Sequence, residues 1–137
     1  MQPYTTVAGF AQDEFVEKKS RFIGAIAPAA TEEEATAFIA RRKEELWDAS
    51  STIYAYSLRE GNIRRYSDGG EPQGTGGVPV LEVIRKEGLI DVVVVVTRYF
   101  GGIKLGAGGL TRAFGHGATL AIAAAKRREM RPCAVVE

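Results

Sequence analysis

The sequence predicts an α+β domain in which helices pack on a sheet. Segments with strand-like and helix-like patterns follow one another as strands, helix, two strands, helix, strand, helix, and no repeat of 20 to 50 residues interrupts them. Five consecutive valines lie between Asp91 and Thr97, which is typical of a strand buried on both faces in the centre of a sheet. At 137 residues, the chain is long enough to bury an ordinary core as one domain.

The first half of the chain begins with strands and continues with a helix. Glu14 to Ala27 becomes strand-like toward its end, and Tyr4 to Phe10 is a candidate partner strand. Thr31 and Glu34 form a capping box, and apolar residues at helical spacing behind them predict a helix over residues 32–47.

Two strands and a helix are predicted next. Ser51 to Leu58 is rich in β-formers, and after a turn the chain returns as a short strand over Ile63 to Ser67. Val78 to Lys86 carries a proline in its first turn and apolar residues on one side, which predicts a helix that Gly88 ends.

After the valine-rich strand, a last helix is predicted from about residue 110 to about residue 127. One of its faces consists mostly of alanine and glycine, including Gly117. A face of such small side chains predicts that this helix lies close to its sheet. The basic residues from Lys126 to Arg131 are interpreted as a solvated surface.

Composition limits the class of protein. One cysteine, Cys133, and one histidine, His116, exclude an internal disulfide and make a zinc cluster implausible. The N-terminus lacks the pattern of a signal peptide, and no apolar stretch is long enough to span a bilayer. We therefore expect a reduced, cytoplasmic protein without a membrane role. The formal net charge of +1 neither favours nor excludes nucleic acid, because binding depends on local patches.

Glycine clustering is the strongest functional observation. Twelve of the sixteen glycines fall in two stretches, five from Gly69 to Gly77 and seven from Gly101 to Gly117, and each stretch leads into a predicted helix. A Gly-rich turn that opens a helix leaves main-chain amides and a partial positive charge free to hold an anion, most often phosphate.

The second stretch, RYFGGIKLGAGGLTR, adds basic and aromatic side chains to the glycines, a set suited to gripping a phosphate backbone. It matches neither a Walker A loop nor a dinucleotide fingerprint. The alternative is that its glycines only permit turns and close packing. The candidate ligand-binding residues are Arg98, Tyr99, Gly101, Gly102, Lys104, Gly106, Gly108, Gly109 and Arg112.

The first stretch supplies a secondary candidate site. Its carboxylates could hold a magnesium ion beside a phosphate, or they could satisfy the amides of the turn. No metal site or cofactor is assigned on this basis. The secondary candidate residues are Asp68, Glu71, Gly74, Gly76 and Gly77.

Four segments resemble the IMPACT family, whose bacterial members are called YigZ-like or UPF0029. They are SRFIG, IYAY, SDGGEPQGTGGVPVLE and VVVTRYFGGIKLGAGGLTRAF, and the resemblance covers roughly residues 14–126. It implies a fold similar to the second domain of a small-subunit ribosomal protein, which is also found in elongation factor G and in small-molecule kinases. It further implies a family domain over residues 1–130 and a tail over residues 131–137 that would start a ferredoxin-like second domain.

The resemblance also bears on function. Eukaryotic relatives regulate translation, and bacterial relatives suggest association with nucleic acid or the ribosome, without an established catalytic activity. Positions where relatives tend to carry His-Asn and a paired Asp hold Ser51, Thr52 and Gly69 here, which weakens an enzymatic interpretation. No catalytic residue is assigned, since neither His116 nor Cys133 has a partner indicated by the sequence.

The leading hypothesis is therefore a non-enzymatic module that binds RNA, the ribosome or a translation factor through its Gly-rich basic surface. One alternative is a phosphate- or nucleotide-handling enzyme related in fold to small-molecule kinases. The other is a module that docks a translation-regulatory protein.

Overall fold

The computed structural model describes residues 2–131. Within this range the protein has seven strands and three α-helices. The strands are β1 (Tyr4–Val7), β2 (Ala11–Glu17), β3 (Ser20–Pro28), β4 (Ser51–Leu58), β5 (Ile63–Ser67), β6 (Val92–Tyr99) and β7 (Arg127–Met130). The helices are α1 (Glu32–Glu45), α2 (Gly77–Lys86) and α3 (Gly106–Ala124).

Five strands form one antiparallel sheet in the order β2-β3-β6-β4-β5, with helices on both of its faces. The valine-rich strand β6 lies at the centre, as predicted. Val92, Val94 and Val96 join the core under α2 and α3, whereas Val93 and Val95 join the core under α1. The α+β class with helices packed on a sheet is thus confirmed.

Local sequence accounts for the start of α1. The Thr31 hydroxyl accepts the amide of Glu34 at 3.1 Å, and the Glu34 carboxylate accepts the amide of Ala30 at 2.7 Å. This reciprocal cap begins α1 where the sequence predicts it. Helix α3 begins one turn earlier than predicted, since Gly106 to Gly109 form its first turn, and it ends at Ala124.

The close approach predicted for α3 is present. Gly24 of β3 lies so near Gly117 of α3 that a Cβ on Gly24 would overlap the Gly117 carbonyl. A Cβ on Gly117 would lie 2.9 Å from a methyl group of Val96. Two glycines facing each other thus set the distance between helix and sheet.

The N-terminal strand pairing differs from the prediction. Tyr4 to Val7 pairs with β7, a strand the sequence does not predict, while the partner of β3 is β2. A two-residue turn at Lys18 and Lys19, both with positive φ, divides what the sequence presents as one strand. Lysine is not a typical residue for such a turn, so the pattern hides it. Beyond Arg131, the predicted tail lies outside the residues that the structure describes.

Candidate anion-binding site at the start of helix α3

The first Gly-rich loop is closed by its own carboxylate. Asp68 accepts the amides of Gly74 at 2.9 Å, Gly76 at 3.1 Å and Gly77 at 2.8 Å. Burial raises the pKa of Asp68, but these three amides outweigh it and hold the pKa below its ordinary value. The carboxylate therefore occupies the place at the start of α2 where an anion would bind.

Glu71 ties the same loop to the sheet through a buried ion pair. Arg98 Nη1 donates to both carboxylate oxygens of Glu71 at 3.0 Å, and the side chains are only 8% and 10% exposed. The Ser51 hydroxyl also donates to Glu71, at 2.5 Å. The carboxylates of the first loop thus bind turn amides and an arginine. Of the two alternatives that the sequence leaves open for this loop, this arrangement matches the one in which the carboxylates satisfy the turn rather than hold a magnesium ion.

Three residues of the second stretch that were predicted to bind a ligand instead bond to other residues of the protein. Arg98 is buried against Glu71, so its guanidinium does not meet solvent as a phosphate contact requires. Tyr99 lies on the opposite face of β6, and its hydroxyl donates to Asp48 at 2.9 Å. Burial, and then the bond to Asp48, raise the pKa of Tyr99. The amide of Gly101 donates to the Ser20 hydroxyl at 3.2 Å.

The start of α3 is open, in contrast to the start of α2. None of the described side chains caps it, and Gly106, Ala107 and Gly108 are exposed. The amides of these three residues precede the first intrahelical bond and find no acceptor within residues 2–131. Gly109, in the next position, donates within the helix. Gly102 is exposed on the approach to this turn.

Cationic side chains surround the open turn. Lys104 and Arg112 are exposed and form no salt bridge within the described residues. A Cβ on Gly108 would lie 3.4 Å from Arg112 Nη1, so the guanidinium lies over the first turn of the helix. The positive end of the helix dipole adds to these charges.

Two shallow clefts flank this turn. One, of about 360 Å³, runs beside Lys104 and the exposed ring of Phe100. The other, of about 290 Å³, is lined by Arg112, Lys18 and His116. Neither Lys18 nor His116 was a candidate ligand-binding residue from the sequence. The spacing of four residues places His116 on the same side of the helix as Arg112, but a lone histidine in such a position is more often simply exposed.

Comparison with known proteins identifies the family. The family model described as the Impact N-terminal domain matches residues 18–122. The chain belongs to the IMPACT family. It is 49% identical over 116 residues to the IMPACT family member YvyE of Bacillus subtilis (strain 168), covering 84% of this chain and 54% of the relative. It is 39% identical over 108 residues to the IMPACT family member YigZ of Escherichia coli (strain K12), covering 77% and 53%.

An IMPACT family member of Thermus thermophilus is 52% identical over 98 residues, 72% of this chain and 52% of the relative. The chain thus spans about half the length of the curated relatives it matches. A crystal structure described as a hypothetical protein superposes with a TM-score of 0.91 at 33% identity, over 96% of this chain and 66% of that one.

The two-domain translational regulator Yih1 shares the fold, with a TM-score of 0.55 at 22% identity over 86% of this chain and 48% of that one. The predicted resemblance to the IMPACT family is confirmed by these matches. Among the described residues, none of the helices is both long and apolar enough for a membrane crossing.

Proposed function

We propose that this IMPACT-family chain is a non-enzymatic module that binds RNA phosphates at the start of α3. The observation that carries the proposal is the difference between two similar loops. The start of α2 is closed by Asp68, whereas the amides of Gly106, Ala107 and Gly108 have no acceptor within the described chain. Unpaired amides, a helix dipole and two free cations make this turn suited to phosphate.

Phe100 supplies a surface for a base beside that turn. Its ring is 48% exposed, and the Arg98 guanidinium lies 5.2 Å from the ring centroid. An aromatic ring held in this way stacks on any base, which adds affinity without sequence preference. Arg98 would therefore act by supporting Phe100, and Lys104 and Arg112 would meet the phosphates.

The proposed cellular context is translation, in the cytoplasm. The structural neighbour Yih1 is described as a translational regulator, and ribosomal RNA or a ribosome-bound factor offers the required ligand chemistry. The enzymatic alternative depends on Asp68 and Glu71 as metal ligands. Both carboxylates are occupied by donors of this chain, so the structure favours binding over phosphate chemistry.

The salt dependence of RNA affinity tests the proposal. Fluorescence anisotropy with a single-stranded RNA should show log affinity falling linearly with log salt. The double substitution K104Q/R112Q should weaken binding and reduce that slope by about one to two units. The matched control R64Q/K86Q removes two exposed cations that line neither of the two clefts beside the turn and should leave the slope almost unchanged. No binding at low salt, or equal slopes for both double variants, would overturn the proposal.

A substitution in the turn separates amide binding from simple charge attraction. In A107D, a new carboxylate at the helix start would take the place of phosphate, as Asp68 does at α2. We expect RNA binding to be lost while the protein becomes more stable by about 0.3–1 kcal/mol. A107N places a neutral group there and should bind RNA more tightly than A107D. Loss of stability in A107D would mean that these amides are not open.

A further inference from the structure

A second groove lies on the other face of the sheet. Helix α1 packs on β4 and β6, and a groove of about 660 Å³ runs between α1 and the β2–β3 hairpin. Phe10, Ile23, Phe38 and Leu46 supply its apolar lining. Phe10 is 56% exposed, and its ring contacts that of Phe38 edge-on, with 6.0 Å between the centroids.

Arg42 places an almost unpartnered charge in the wall of this groove. Only 7% of its side chain is exposed, and its Nε atom is buried without a hydrogen-bond acceptor. Its one ion-pair contact among residues 2–131 joins Nη1 to Glu45 Oε1 at 3.5 Å, the outer limit of a hydrogen bond, and Glu45 is itself 55% exposed. Burial lowers the pKa of Arg42, and Glu45 offsets only part of that effect.

The neighbouring carboxylate, that of Glu14, does not pair with Arg42. Glu14, which also lines the groove, accepts two hydrogen bonds from Arg21 at 2.8 and 2.9 Å. The Phe10 ring lies 5.6 Å from the Arg42 guanidinium and keeps water from one of its faces. A buried guanidinium with so few acceptors gains strongly from an external carboxylate, because two parallel hydrogen bonds can form.

We propose that this groove binds an extended peptide segment of a partner protein, in which one Glu or Asp flanked by apolar residues pairs with Arg42. The size of the groove favours a peptide over a free acid. From Phe38 to Leu46, α1 rises about 12 Å, the length of about four extended residues. The carboxylate would meet Arg42 while the flanking side chains cover Phe10 and Leu46. This site is independent of the RNA site at α3.

The chain contains a probe for this groove, because its single tryptophan, Trp47, follows Leu46 and is 80% exposed. We would titrate a pool of blocked hexapeptides with a central Glu flanked by Leu, Phe and Val. Trp47 fluorescence and the ¹⁵N resonance of the Arg42 Nε–H would report binding. A second pool with Gln in place of Glu is the control, because glutamine has nearly the same shape as glutamate but carries no charge.

The Glu pool should shift the Arg42 resonance and bind at least tenfold more tightly than the Gln pool. R42Q should lose this preference, whereas K43Q, at an exposed cation of the same helix that does not line the groove, should keep it. If R42Q does not fold, F10S, at an exposed side chain, should weaken binding of the Glu pool.

Three results would overturn the proposal. Equal binding of both pools would show that Arg42 does not select a carboxylate. Hexanoate binding as tightly as the peptides would identify a free acid as the occupant. An Arg42 resonance that shifts with protein concentration alone would identify a second copy of the chain.

Discussion

Arg98 and Glu71 show what a residue pattern can and cannot indicate. The sequence places Arg98 at the end of a strand beside glycines, the position of many phosphate-binding arginines. Glu71 lies 27 residues earlier, and only the fold brings the two side chains together beneath the loop. Lys104 and Arg112 were predictable as free cations because they lie in an exposed loop and on an exposed helical turn.

The buried ion pair should be costly to break from one side. In E71Q the Arg98 charge would remain buried without its partner, and we expect a loss of about 3–5 kcal/mol in the free energy of unfolding. Urea denaturation followed by circular dichroism would measure it. The double variant E71Q/R98M removes both charges and should lose much less than the sum of the single changes.

E82Q is the control for this prediction, because it removes a carboxylate from an exposed pair with Arg85. Its denaturation midpoint should match that of the wild type. Strictly additive losses in E71Q/R98M would show that the two buried charges do not stabilise each other.

The pH dependence of stability should reveal Asp68. Its pKa in the folded state lies below the ordinary value of 3.8, so ionised Asp68 stabilises the fold fully above about pH 4. That contribution is lost as the pH falls through the folded-state pKa. D68N should therefore be less stable than the wild type by about 2 kcal/mol at pH 7, and the difference should shrink below about pH 4. Equal differences at pH 3 and pH 7 would contradict this assignment.

At the scale of elements, strong local sequence patterns were sufficient to predict where several helices and strands lie. The capping box of α1, the strands β4 and β5 and the valine-rich β6 lie where the sequence predicts them, because composition and periodicity agree there. The errors occur at β1 and β7, which pair from opposite ends of the described chain, and at the β2–β3 hairpin, whose turn of two lysines the pattern does not reveal. The early start of α3 escaped prediction because glycine is a poor helix former.

Two glycines of α3 should respond oppositely to alanine. G117A would place a Cβ 2.9 Å from Val96 Cγ1, and we expect it to destabilise the protein by about 1–3 kcal/mol. G115A would meet no atom of a neighbouring element closer than 3.9 Å, so the gain in helix propensity should stabilise the protein by about 0.5–1 kcal/mol. Thermal denaturation of both variants measures the difference. Similar shifts in the same direction would mean that α3 does not depend on Gly117 for its close packing.

At the scale of the whole molecule, the sheet separates two surfaces of different chemistry. The face under α2 and α3 carries the open amides and the cations, and the face under α1 carries the apolar groove with Arg42. The central strand β6 connects them, since Arg98 supports Phe100 on one side and Tyr99 lies on the other. A rigid centre would let RNA and a peptide bind at the same time.

That rigidity can be measured by hydrogen exchange. Val92 to Val96 are fully buried, and β6 pairs on both sides, so its amides should exchange only through global unfolding. Within the described part of the chain, strand β7 pairs only with β1, and its residues Arg127 to Glu129 are exposed. We expect the amides that β7 shares with β1 to exchange through a smaller opening, at least tenfold faster than those of β6. If β7 were as slow as β6, the two-stranded sheet would belong to the same cooperative unit, and the module would be rigid to its last described strand.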